Sequence, residues 1–127
     1  MGDQFWVRPI LRVRDVESSV AYYCEKLGFR KGWQHGEGKL ICAQVGNDVL
    51  DIILDRASVM PKPEGPSVLT FSLGEPEQLG ALYRDLQDRG AKILSPPFPV
   101  VWQKGTYELD VEDLDGNILI FWGSEPK

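Results

Sequence analysis

The sequence predicts an α+β fold made of two tandem βαβββ modules, whose strands form a curved, cup-shaped mixed sheet with both helices on the convex face. Residues 9–29 read as a strand, a helix and the start of the next strand. The same order returns in the second half of the chain, and the two glycines that end the helices, Gly28 and Gly90, lie 62 residues apart. That spacing is close to half of the chain, as expected for a duplicated module.

The first module covers about residues 5–54. Apolar and charged residues alternate between Leu11 and Arg14, which is typical of a strand with one buried face. Asp15 is a good N-cap for the helix predicted over 15–27, and Gly28 suits its left-handed end. The residues spaced to form one apolar stripe of this helix are Val16, Val20, Tyr23 and Leu27.

Three more strands complete this module, over residues 29–35, 40–45 and 49–54. The glycine-containing segments 36–38 and 46–48 separate them and have the composition of tight turns.

Residues 55–66 contain three prolines and a glycine, so we expect a surface loop that joins two halves of one domain spanning residues 1–127. The second module covers about residues 67–123. Its helix begins near Pro76 and ends at Gly90. The apolar stripe of this helix consists of Leu79, Leu82, Tyr83 and Leu86. The strands of this module are predicted over 67–73, 91–94, 102 or 105 to 112, and 117–122, with an irregular, proline-rich loop over 95–101.

The composition limits the possible partners. The chain has 127 residues, of which 43% are apolar, and a net charge of −5. This balance disfavours nucleic acids and anionic membranes, and it mildly favours a cationic ligand. We find no apolar run long enough to span a bilayer and no signal peptide at the start of the sequence, so we expect a soluble cytoplasmic protein. In that setting Cys24 and Cys42 are expected to be two buried thiols rather than a disulfide.

Three segments, in order, resemble the vicinal oxygen chelate superfamily, which includes glyoxalase I, extradiol dioxygenases, fosfomycin-resistance enzymes and bleomycin-resistance proteins. They are residues 11–15 (LRVRD), 22–29 (YYCEKLGF) and 113–117 (DLDGN). The resemblance spans almost the whole chain and implies the fold described above. It does not select one function, because this scaffold carries many chemistries.

In the metal-dependent members of that superfamily, four positions on the floor of the cup carry His, Gln or Glu. By the resemblance, those positions are Arg8, Asp51, Val68 or a neighbour, and Ile120. One carboxylate cannot hold a divalent ion alone, so we expect no metal and no other cofactor. Arg8 and Asp51 are expected to pair instead. The only histidine, His35, borders a predicted turn and is expected to be a surface residue.

Strand parity predicts which side chains face the cup. In the seventh strand Tyr107, Leu109 and Val111 form the apolar set, and the alternate carboxylates face the cup or its rim. These carboxylates are either a solvated edge or an acidic wall for a cationic guest. The tryptophans are likewise either structural or ligand-stacking. The predicted ligand-binding residues are Arg8, Trp33, Asp51, Trp102, Glu108, Asp110, Ile120 and Trp122.

Tryptophans beside carboxylates suit a flat, positively charged molecule. The resemblance to bleomycin-resistance proteins then implies a metal-free homodimer that sequesters an aromatic or cationic drug or metabolite between its subunits, with a role in antibiotic resistance. The alternatives are a metal-dependent glyoxalase- or dioxygenase-like enzyme and an interaction domain with an empty cup. The sequence contains no Ser/His/Asp or Cys/His grouping, so no catalytic residue is assigned. The residues that could serve as acid or base in a metal-free reaction are Tyr107 and Glu108.

Overall fold

The computed structural model describes residues 6–47, 50–56 and 65–127. The chain divides into two compact units, Met1–Gly65 and Pro66–Lys127, which are described in turn. Residues 48, 49 and 57–64 lie outside the described residues. They include the end of a predicted turn, the start of a predicted strand and most of the predicted loop. The prediction of a single domain, and of a cup formed by both halves, stays a prediction.

The first unit contains one helix and four strands in the predicted order. These elements are β1 (Ile10–Arg12), α1 (Val16–Glu25), β2 (Arg30–His35), β3 (Cys42–Gly46) and β4 (Asp51–Asp55). The strands form a mixed sheet in the order β1-β4-β3-β2, in which β1 and β4 run parallel and the other pairs are antiparallel. Helix α1 packs on β3 and β4. The alternate residues that it covers, Ala43, Val45, Ile52 and Leu54, are fully buried.

Helix α1 begins where the sequence predicts. The Asp15 carboxylate accepts a hydrogen bond from the backbone N–H of Ser18 at 2.9 Å, and this bond lowers the pKa of Asp15. Val16, Tyr23 and Leu27 are buried as expected. Ser19 is also buried, while Val20 is half-buried, so the buried stripe of α1 extends towards Ser19 rather than towards Val20. Gly28 follows with φ 77°, the predicted left-handed conformation.

The second unit repeats this order with one additional strand. Its elements are β5 (Val68–Ser72), a 3₁₀ turn (Pro76–Gln78), α2 (Leu79–Arg89), β6 (Lys92–Ile93), β7 (Phe98–Pro99), β8 (Tyr107–Glu112) and β9 (Ile118–Gly123). The sheet has the order β5-β9-β8-β6, with β7 also paired to β8. Strands β5 and β9 run parallel, so this sheet is mixed as well. The predicted α+β fold class is confirmed in each unit.

The prediction of an irregular loop over 95–101 is wrong at β7. Phe98 and Pro99 pair with Glu108 and Tyr107 of β8. A proline lacks the N–H that a central strand needs, but a two-residue edge strand tolerates it. Strand β8 begins at Tyr107. The two starts predicted for it, residues 102 and 105, both lie in the loop that precedes it.

The turn between β8 and β9 is held by its own side chains. The Asp113 carboxylate accepts hydrogen bonds from the backbone N–H groups of Asp115 at 2.8 Å and Asn117 at 2.9 Å, and from the Asn117 side-chain amide at 2.9 Å. The side-chain oxygen of Asn117 accepts a bond from the backbone N–H of Ser67 at 2.8 Å, which ties the turn to the start of β5. Asp113 and Asn117 are both buried, so these groups depend on one another for hydrogen bonding.

Cys24 and Cys42 are half-buried free thiols, and burial raises the pKa of each. In the part of the chain that the structure describes, no helix has the length and apolar character needed to cross a membrane.

We predict that Asn117→Ala will destabilise the fold by about 2–3 kcal/mol, because it leaves the Ser67 N–H and one Asp113 oxygen with fewer partners in a buried site. Urea denaturation followed by circular dichroism measures the change. Gln87→Ala, on the exposed surface of α2, is the control and is expected to change stability by less than about 0.5 kcal/mol. A loss for Asn117→Ala no larger than that of the control would contradict the assigned role of the turn.

Candidate functional site

Strands β8 and β9 sort their side chains onto two faces. Leu109, Val111 and Leu119 are fully buried, on the side of the sheet where α2 packs on β9. Tyr107, the third member of the predicted apolar set, is half-buried. The alternate residues of β8 lie on the other face, opposite those of β9: Glu108 pairs with Trp122, Asp110 with Ile120, and Glu112 with Ile118. The predicted alternation along β8 is therefore confirmed.

Trp122 joins two of the predicted binding residues. Its indole Nε1–H donates to Glu108 Oε1 at 3.4 Å. Its ring also meets the ring of Trp102 edge to face, with centroids 5.2 Å apart and planes at 66°. Trp102 keeps 69% of its surface exposed. The structure thus brings together a carboxylate and two indoles, one of which still presents most of its surface to solvent.

Trp102 is carried on a loop with internal backbone hydrogen bonds. The N–H of Val100 donates to the carbonyl of Thr106 at 2.8 Å, which closes the loop at its base. The N–H of Gln103 donates to Val100 and that of Thr106 to Gln103, at 3.2 and 3.1 Å. Gly105 adopts φ 85°, a left-handed conformation that favours glycine. These bonds hold the loop that carries Trp102 without relying on the indole itself.

Asp110 and Glu108 lie two residues apart on the same face of β8, so their carboxyl groups are neighbours. Burial, a hydrogen bond with Glu108 and the Glu108 charge raise the pKa of Asp110 to about 7. Asp110 Oδ1 is buried and has no hydrogen-bond partner among the described residues. The Asp110 carboxyl therefore keeps its proton to a higher pH than an ordinary aspartate does, and its buried Oδ1 can accept a hydrogen bond from a guest. We call Trp102, Glu108, Asp110 and Trp122 the carboxyl–indole cluster.

Two further predicted residues, Arg8 and Asp51, meet on the first sheet. Arg8 Nε lies 3.7 Å from Asp51 Oδ2, which confirms the expected pair. Both side chains are partly exposed, at 42% and 32%, so this pair avoids the desolvation cost of a buried one. The side-chain amide of Gln44 also donates to Asp51 Oδ1.

Gln44 and Gly32 were missed by the sequence reasoning. A Cβ on Gly32 would lie 1.7 Å from Gln44 Oε1, so the glycine leaves room for this amide. The signal was present in β3, where Gln44 is the polar residue between Ala43 and Val45 and therefore shares a face with Asp51.

The remaining two predicted residues make no contact that identifies a site. Trp33 lies at the irregular register of β2, and 42% of it is exposed. Ile120 is half-buried between its strand partners Asp110 and Thr70.

The side chains at the positions that the resemblance assigns to metal ligands do not fit a divalent ion. Arg8 brings a positive charge, and Val68 and Ile120 have no donor atoms. Asp51 is already bound to Arg8 and Gln44. Among residues 6–47, 50–56 and 65–127, no three His, Cys, Asp or Glu side chains group so that they could hold a metal.

We predict that Asp110→Asn will stabilise the fold at pH 8 by roughly 1 kcal/mol. The gain is this small because solvent screens the partly exposed carboxyl groups of Glu108 and Asp110. The folded protein keeps the Asp110 proton up to about pH 7, whereas the carboxyl of an unfolded chain loses it near its ordinary value of 3.8. The wild type therefore loses stability as the pH rises between these values, and the asparagine variant does not.

Thermal unfolding at half-unit steps from pH 5 to 8.5 tests this effect. The gain in melting temperature is expected to grow up to about pH 7 and to level off above it. Asp88→Asn, on the exposed surface of α2, is the matched control and is expected to show no such trend. A gain that does not depend on pH would rule out the raised pKa of Asp110.

The comparisons with known proteins agree with this fold. Residues 6–121 match the family model of the Glyoxalase/Bleomycin resistance protein/Dioxygenase superfamily. No curated protein matches the chain.

Several solved structures have the same fold. TioX from Micromonospora sp. ML1 is similar over 95% of this chain and 100% of its own, with 16% identity and a TM-score of 0.77. A glyoxalase/bleomycin resistance protein/dioxygenase from Nocardioides is similar over 94% of this chain and 83% of its own, with 20% identity and a TM-score of 0.72. A member of that superfamily from Sphaerobacter thermophilus DSM 20745 covers 93% of this chain and 96% of its own, with 19% identity and a TM-score of 0.70. At these identities the structures show a shared fold, and the family model shows that the chain belongs to the Glyoxalase/Bleomycin resistance protein/Dioxygenase superfamily.

Proposed function

We propose that this chain is a metal-free small-molecule-binding protein that sequesters a flat aromatic or cationic drug or metabolite, in the manner of bleomycin-resistance proteins. The observation that carries the proposal is the carboxyl–indole cluster, in which Trp122 contacts both Glu108 and Trp102. The other predicted ligand-binding residues, Arg8, Trp33, Asp51 and Ile120, remain part of the proposal without a defined role.

The indoles supply the apolar part of the site. Trp102 is 69% exposed, and its edge-to-face contact with Trp122 leaves ring surface for a planar guest. Covering apolar surface stabilises a complex by about 25 cal/mol for each Å² removed from water. A cationic ring gains about 0.5–2 kcal/mol more over an indole face. Binding costs less ordering because the loop around Trp102 is held in place before the guest arrives.

The carboxyl groups supply the preference for positive charge. The buried Asp110 Oδ1 has no partner among the described residues and can accept a hydrogen bond. Glu108 and Asp110 repel each other when both are ionised, which is one cause of the raised pKa of Asp110. A cation placed beside them relieves that repulsion, whereas a neutral guest does not.

We further propose that two copies of the chain associate, as the resemblance implies, and that trapping a toxic drug would confer resistance. Sedimentation equilibrium across a range of protein concentrations measures the association, and a monomer at every concentration would remove the homodimer from the proposal. Stoichiometric divalent metal in the purified protein would instead favour the alternative, a metal-dependent enzyme of the same superfamily.

Tryptophan fluorescence tests the binding function directly. We expect N-methylacridinium, a permanent planar cation, to quench the emission and to bind at least tenfold more tightly than neutral acridine at pH 8. Glu108→Gln is expected to remove most of that difference. Trp102→Leu is expected to weaken both guests by about tenfold, because it removes about 1–1.5 kcal/mol of ring contact.

Two neighbouring substitutions serve as matched controls. Glu112→Gln changes a residue on the same face of β8, and Glu112 is paired with Lys92. Val101→Ser changes the loop residue next to Trp102, and 95% of Val101 is exposed. Both are expected to leave the affinities nearly unchanged. Failure of N-methylacridinium, bleomycin and a broad panel of planar drugs to change either the emission or the melting temperature would defeat the proposal.

A further inference from the structure

A cavity of about 320 Å³ opens beside Trp122, within the second unit. It lies between the loop at 103–106 and the ends of β5 and β9. Its lining residues fall into two groups. Those with small polar, amide or charged side chains are Ser72, Gln103, Lys104, Thr106 and Ser124, and the others are Leu73, Pro76, Gly105, Trp122 and Gly123.

Backbone contacts define the inner wall of this cavity. A Cβ on Gly123 would lie 2.6 Å from the carbonyl oxygen of Pro76 and 2.7 Å from the Cβ of Leu79, so only a glycine lets the 3₁₀ turn approach β9 this closely. The N–H of Ser124 donates to the Pro76 carbonyl at 2.9 Å, and that of Leu73 to the Trp122 carbonyl at 3.0 Å. The space is therefore formed by the fold before any guest binds.

The chemistry of the lining favours a negatively charged group. Lys104 is its only charged side chain, and none of the lining residues carries a carboxylate. Lys104 has no carboxylate partner in the part of the chain that the structure describes. The hydroxyls of Ser72, Thr106 and Ser124 and the amide of Gln103 add uncharged donors around it. A carboxylate or similar anion would gain charge-assisted hydrogen bonds there.

The volume indicates how much of a guest the cavity takes. Sites that enclose a whole drug-sized molecule usually measure about 300–1,000 Å³. At about 320 Å³ this cavity lies at the lower end of that range, and it is open to solvent, so it suits one substituent of a larger guest rather than the whole of it.

Trp122 links this cavity to the carboxyl–indole cluster. Its side chain donates to Glu108 and contacts Trp102, and the same residue lines the cavity. We propose that the guest is amphoteric: a planar aromatic molecule with a cationic group at Glu108 and Asp110 and an anionic substituent in the cavity beside Lys104. This inference rests on the proposed function and extends it by naming the ligand class.

Two matched guests test the inference, N-propylacridinium and N-(3-carboxypropyl)acridinium, because both are planar cations and only the second carries a carboxylate. We expect the zwitterion to bind three- to tenfold more tightly, as measured by tryptophan quenching at pH 8. Lys104→Gln is expected to abolish this difference and Lys104→Arg to retain it. Lys92→Gln, which removes an equal charge from the same unit at a site paired with Glu112, is expected to leave the difference intact.

The outcomes separate this inference from the proposed function. Binding of both guests with equal affinity, or a preference for the zwitterion that survives Lys104→Gln, would overturn the anion site and leave the cation site standing. Binding of neither guest would overturn both. Lys104 is exposed, so its variants are expected to fold, and their melting temperatures check this.

Discussion

The register between β8 and β9 is the constraint on which the second half of the structure depends. Hydrogen bonds between Asp113 and Asn117 fix the turn that sets this register. The same Asn117 also accepts a hydrogen bond from the N–H of Ser67, at the start of β5. A slip by one residue would move the buried residues of β8 to the open face and the carboxylates into the core. The contact between Glu108 and Trp122 exists because the turn places these two residues opposite each other.

The same register creates an electrostatic cost. Burial disfavours the charged form of Asp110, and so do the hydrogen bond and the charge of the neighbouring Glu108, so the pKa of Asp110 is raised. Structural sites normally avoid such a pair or neutralise it, as Lys92 does for Glu112 further along β8. In the first sheet, likewise, Asp51 is matched by Arg8. The pair at 108 and 110 is the one whose shifted pKa and unpartnered oxygen favour an external cation.

The sequence predicted the elements better than the details of the site. Period-two alternation located β8 and β9 and the face that carries Glu108 and Asp110, and Asp15 marked the start of α1, because these signals act over a few residues. Strand β7 was missed because the three prolines of residues 95–101 argue against a strand, and its pairing with β8 depends on residues that come later in the sequence. Three further features also depend on residues distant in sequence, so no local pattern predicts them. They are the contact between Trp102 and Trp122, the room that Gly32 leaves for Gln44, and the cavity beside Lys104.

We propose that Glu108 and Asp110 together bind the cationic group of a guest, so that binding lowers the pKa of Asp110. Carbon-13 NMR of the Asp110 side-chain carboxyl, assigned by comparison with Asp110→Asn, measures its pKa in the free protein and with N-methylacridinium bound. We expect a midpoint of about 7 in the free protein and a clearly lower midpoint in the complex. A midpoint near the ordinary value of 3.8, or one that saturating guest leaves unchanged, would contradict it.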